Sequence, residues 1–195
     1  MILSFVGRPP DLEYRCRMSR IPRTVASNCV LELGEANFYN FTPLEDMQRA
    51  KSKPLADNDG GGYLFRHTNR LATVDTEDVQ ESGVACFLED VSHIPPCSRV
   101  IRDFISESWQ DQIDVVKFVG VRCEVWKSSE FADNPPAWLF AQDRAIKMMN
   151  ELLSLYGYAD RLYYQHFGND DQVILVTPTM LQILVKYGAV TPNSM

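Results

Sequence analysis

The sequence is short of the residues that most often announce a chemistry. It holds three histidines in 195 residues, His67, His93 and His166, standing far apart. The five cysteines, Cys16, Cys29, Cys86, Cys97 and Cys123, are equally scattered, so four zinc ligands do not assemble at ordinary spacings. Their number is odd and no C-x-x-C occurs, which excludes a disulfide scaffold and a thioredoxin-like motif. The opening Met-Ile-Leu-Ser-Phe-Val is apolar for six residues only and lacks the basic flank and cleavage site of a secretory leader. It reads better as a first strand, and free thiols in a reducing cytoplasm are the expectation. No apolar run approaches the about 18 residues needed to cross a bilayer. Gly-x-Ser-x-Gly, His-Glu-x-x-His and Gly-x-Gly-x-x-Gly are all missing, as are internal repeats and low-complexity tracts. Neither a cofactor nor a metal is expected.

Positive charge is also in short supply. Nineteen basic residues face 26 acidic ones, a net charge of −7 and a pI near 5.0. Such a field repels phosphate backbones and anionic bilayers, so no nucleic-acid or membrane partner is expected. The excess is uneven: residues 1–75 carry ten basic and nine acidic groups, residues 76–195 nine and 17.

What is present is ordinary globular material, 45% hydrophobic and 23% charged. A chain of this length buries about 70% of its unfolded surface and needs no staple. A single domain over 1–195 is expected, with a turn-rich loop at 53–62. The segment 7–23 combines five arginines with three prolines and reads as extended or irregular. Segment 24–33 reads as a strand; Thr42-Pro43-Leu44-Glu45 then opens a short helix with an N-cap, a proline at N1 and a capping-box acid. Short strands are expected at 63–66 and 71–74, a buried strand at 83–91, and a helix over 98–109. Segment 113–126 reads as a bent strand or a hairpin broken near Gly120. The clearest helix is 136–156, where Trp138, Leu139, Ile146, Met149, Leu152, Leu153 and Tyr156 form a wide apolar stripe and Gly157 supplies the stop. A hairpin at 162–167 and 172–177 and a helix over 180–187 complete the chain. Three or four helices against seven or eight paired strands predict an α+β fold around a central, mainly antiparallel sheet.

The candidate chemistries are weak. Asp57-Asn58-Asp59-Gly60-Gly61-Gly62 is rich in glycine, but no helix and no lysine follow it, and its aspartates repel phosphate. The same segment lacks the distal glutamate of a calcium loop. Glu124 and Lys127, like Asp114 and Lys117, are three apart and so fall on opposite strand faces, against a nuclease arrangement. His93 and Cys97 place an imidazole and a thiol near a helix start, where a dipole and a neighbouring cation activate sulfur. A buried thiol beside a surface histidine is the plainer account. Arg15, Arg17, Arg20 and Arg23 form the one concentrated basic patch, suited to an anion or to the protein's own acids.

Tyr163 and Tyr164, with Asp170 and Asp171 across the turn, offer an aromatic and acidic surface of the kind that anchors partner proteins. The resulting expectation is a cytoplasmic, acidic protein-interaction module of the inhibitor, immunity or adaptor kind. The balance falls against an enzyme. A small enzyme working at His93 and Cys97, or a component that assembles with copies of itself, are the alternatives.

Overall fold

A computed structural model describes residues 2–4, 13–15, 23–52, 68–110, 113–127, 129, 137–167 and 170–192. In chain order the elements are β1 (Ile2–Ser4), β2 (Glu13–Arg15), α1 (Arg23–Glu35), α2 (Leu44–Ser52), β3 (Leu71–Thr73), α3 (Thr76–Ser82), α4 (Val84–Val91) and α5 (Pro95–Ile101). There follow β4 (Phe104–Gln110), β5 (Ile113–Phe118), β6 (Val121–Lys127), α6 (Ala137–Leu155), β7 (Arg161–Phe167), β8 (Asp170–Val176), α7 (Pro178–Lys186) and β9 (Thr191–Pro192). The fold is α+β with mainly antiparallel pairing, and its strands divide between two sheets. None of the helices is long and apolar enough to cross a membrane among the described residues.

Two compact units hold the two sheets. The first comprises Met1–Pro10 and Val74–Tyr158, the second Asp11–Thr73 and Ala159–Met195. In the first unit the strand order is β1-β6-β5-β4, with only the β1–β6 pair parallel. The β5–β6 hairpin expected near Gly120 is present, and Gly120 takes φ 75° in the turn, where a side chain would be strained. Helix α6 packs on β6 and on α3, α4 and α5. Its buried face includes Ala141, Ala145 and Met148 together with Ile146, Met149, Leu152 and Leu153 of the predicted stripe, while Tyr156 is half-buried. In the second unit the order is β3-β8-β7-β2-β9, with the β2–β7 pair parallel. The β7–β8 hairpin and the last helix stand where expected; Thr177 Oγ1 caps α7 by accepting from Met180 N at 3.2 Å.

Three segments differ from expectation. Segment 24–33 belongs to helix α1: Cys29 and Leu33 are buried while Leu31, which a strand would place beside them, is 66% exposed. Segment 83–91 is helical too, because Val84, Phe87, Leu88 and Val91 fall at i, i+3, i+4 and i+7 and form the buried stripe of α4. The helix expected over 98–109 instead begins at Pro95 and ends at Ile101, and Phe104–Gln110 is strand β4. Phe104 and Ile105 continue the apolar pattern of the helix, but the chain pairs with β5 from Phe104 onward. The expected strand at 63–66, the loop 53–62 and the first residue of the helix expected over 136–156 lie outside the described residues.

Candidate functional site

The distinctive site of the first unit grows from strand β4, which lies at the edge of its sheet among the described residues. Helix α4 starts immediately behind α3, and the residue at its N-cap is Gly83, which has no side chain to satisfy the first backbone N–H groups. Glu107 of β4 does so instead. Its Oε1 accepts from Val84 N at 2.7 Å and its Oε2 from Ala85 N at 2.8 Å, placing a carboxylate at the positive end of the helix dipole. Gly83 is required on two counts. Its φ is +95°, and a Cβ there would stand 2.5 Å from Glu107 Oε1.

Asp114 of β5 faces Trp109 of β4 in the sheet register, two residues from the partner position of Glu107. It is fully buried, and neither carboxyl oxygen completes a hydrogen bond of good geometry. Burial above all, then the neighbouring Glu107 carboxylate, pushes its pKa up to about 8, against a small opposing pull from the Val115 backbone N–H. Asp114 therefore holds its proton at neutral pH while Glu107 is fastened to α4.

Beside these acids lies a cavity of about 550 Å³, lined on one side by Glu81, Ser82, Gly83 and Ala85 and on the other by β4 and Trp126. Trp126 of β6 is 3% exposed and forms a wall; Trp109 is 56% exposed and forms a lip. Their ring centroids are 6.5 Å apart with the planes inclined at 58°. Among the described residues the lining includes Glu81 and Glu107 and no basic side chain. An acidic cavity with two indoles in its lining is chemically suited to a cation that also carries apolar surface.

The sequence-predicted site residues fall elsewhere. His93 is exposed just beyond α4, with Nδ1 3.0 Å from the Asp90 carbonyl oxygen, and Cys97 is fully buried within α5. On β7, Tyr164 is 4% exposed and Tyr163 is half-buried, packed partly against the core of the second unit. Arg17 and Arg20 lie outside the described residues, as do the side chains of Arg15, Arg23, Asp170 and Asp171. Among the described residues no group of three or more His, Cys, Asp or Glu side chains comes together as a metal site. Glu107 and Trp109 were missed because the segment reads as the end of a helix. The available signal was the pair of β-rich runs, Phe104–Gln110 and Ile113–Phe118, two residues apart, which is hairpin spacing. No family model, no curated protein and no solved structure matches the chain.

Proposed function

We propose that the protein is an interaction module whose first unit binds a basic, extended polypeptide segment along strand β4. The observation that carries this reading is Trp109, an indole more than half exposed on an edge strand, at the lip of an acidic cavity. An edge strand offers backbone N–H and C=O groups to an added strand, and an exposed tryptophan next to a pocket is the usual energetic anchor of such contacts. Ile105, 60% exposed on the same strand, extends the apolar contact. Charge supports a basic partner. The first unit holds 15 acidic and eight basic residues and the second eleven of each, so the whole excess of −7 lies in the unit that bears the cavity. Inhibitors, immunity proteins and adaptors all work through such surfaces. Among the described residues Cys29, Cys86, Cys97 and Cys123 form no disulfide, which fits a reducing, cytoplasmic setting.

An enzyme at His93 and Cys97 has the burial of the Cys97 thiol against it, because a nucleophile must meet its substrate. The Glu107 and Asp114 carboxyls do not favour an acid–base enzyme either: both oxygens of Glu107 are occupied by α4, and Asp114 has no exposed surface. The discriminating experiment is a titration of the full chain with fluorescent peptides of about seven residues, the length of β4, in basic and acid-substituted versions. The basic peptides are expected to bind, more weakly as salt rises, and Trp109→Ala is expected to weaken them at least about tenfold. Equal binding of the acidic peptides, or full affinity in Trp109→Ala, would contradict the reading. Self-association that Trp109→Ala abolishes would favour a second copy of the chain as the occupant of β4.

A further inference from the structure

We propose that the cavity beside Trp109 receives a quaternary ammonium group, carried as a trimethylated lysine on the segment that β4 binds; the carrier rests on the function proposed above, the cation site on the cavity itself. Trp126 is a buried wall and Trp109 an open lip, and their rings meet at 58° with centroids 6.5 Å apart. Trp109 is the indole open to a ligand, so a cation seated against it lies within the about 6 Å over which a ring quadrupole attracts positive charge, with the buried Trp126 ring packed beside it. Phe104 adds a third aromatic side chain to the lining. The volume of about 550 Å³ accepts a methylated head and the end of the stem that presents it.

The acids explain why the alkylated cation is favoured over a plain ammonium. A primary ammonium brings three N–H donors and a tightly held hydration shell, and it must find acceptors when it leaves water. Glu107 lines the cavity, but each of its oxygens already accepts a backbone N–H from Val84 or Ala85. Ser108 Oγ is likewise engaged, accepting from Gln110 Nε2 at 3.1 Å. The lining thus supplies negative charge, from Glu107 and from the exposed Glu81, with part of its acceptor capacity already spent. A quaternary ammonium makes no demand for acceptors, presents methyl groups to the indoles, and spreads its charge over the surface it buries. Gly83 lets the Glu107 carboxylate come this close, since a Cβ there would stand 2.5 Å from Oε1.

The test uses the full chain and follows the three tryptophan indole N–H resonances. The probes are choline, its uncharged carbon isostere 3,3-dimethylbutan-1-ol, and ammonium chloride at matched ionic strength. Choline is expected to shift the resonances of Trp109 and Trp126 saturably, at concentrations on the order of millimolar, with no comparable response to the other two probes. Trp109→Leu is expected to lose at least about tenfold in affinity, and Trp109→Phe to recover part of it because an aromatic face remains. A basic peptide of about seven residues is then compared with and without trimethylation of a central lysine, with at least about fivefold tighter binding expected for the methylated form. Equal responses to choline and its carbon isostere would overturn the cation site. Equal affinity of the two peptides would overturn methyl-lysine recognition and leave β4 docking standing. Saturable choline binding with neither peptide bound would uphold the cation site and overturn the polypeptide reading. Silence from every probe would overturn both.

Discussion

Replacing Arg70 by methionine is expected to cost the second unit about 3–5 kcal/mol of stability, the cost of stranding one half of a buried ion pair. Arg70 is 1% exposed, and its guanidinium joins three stretches of chain. Nε donates to the Phe38 carbonyl oxygen at 2.6 Å, while Nη1 donates to Asp160 Oδ1 and to the Leu175 carbonyl oxygen, both at 2.8 Å. The plane also lies over the Phe41 ring at 4.5 Å and the Phe38 ring at 5.4 Å. Burial pulls the Arg70 pKa down while the hydrogen bond to Asp160 and its charge hold it up. Methionine fills similar space but leaves the Asp160 carboxylate and two carbonyl oxygens without their donor. Lysine should rescue little, since a point charge with three donors cannot reproduce the planar fork. The measurement is denaturant unfolding followed by a probe in the second unit, with Arg70→Met/Asp160→Asn as the companion variant. The double variant is expected to recover part of the loss. A single-variant cost under about 1 kcal/mol would contradict this assignment of Arg70.

Asp114→Asn is expected to stabilise the protein, and increasingly so as the pH rises. The folded pKa of Asp114 is near 8, well above the ordinary 3.8, so between those values the native state holds a proton that the unfolded chain has released. The favourable contribution is therefore fully present below the unfolded pKa and declines by about 1.4 kcal/mol per pH unit until the folded pKa is reached. The amide has similar shape and no charge, so the variant lacks this decline. Melting curves of the two proteins should converge near pH 4 and separate steadily towards pH 8, with the variant the more stable. Parallel pH profiles would show that Asp114 is not the buried acid described above.

The long helix was legible because α6 buries one stripe over 19 residues, enough turns for the period to show. The hairpins β5–β6 and β7–β8 were legible because turn residues punctuate alternating runs. Helix α4 was not, because Val-Ala-Cys-Phe-Leu is apolar at nearly every position and only the neighbours decide which positions are buried. The candidate site failed to show for a different reason. Glu107 meets Val84 and Ala85 across more than 20 residues of chain, and Trp109 meets Trp126 across two strand pairings. Such convergence leaves no local spacing to read. Arg70 belongs to the same class, its partner Asp160 being 90 residues away.

Docking of a basic segment on β4 is read by backbone hydrogen exchange where the contact is made. With a saturating basic peptide of about seven residues, amides of Phe104–Gln110 and of the α4 start at Val84 and Ala85 should gain protection, while those of α1, α7 and β8 in the second unit keep their free-state rates. Protection centred on the second unit, or an unchanged β4 in the presence of bound peptide, would contradict the account.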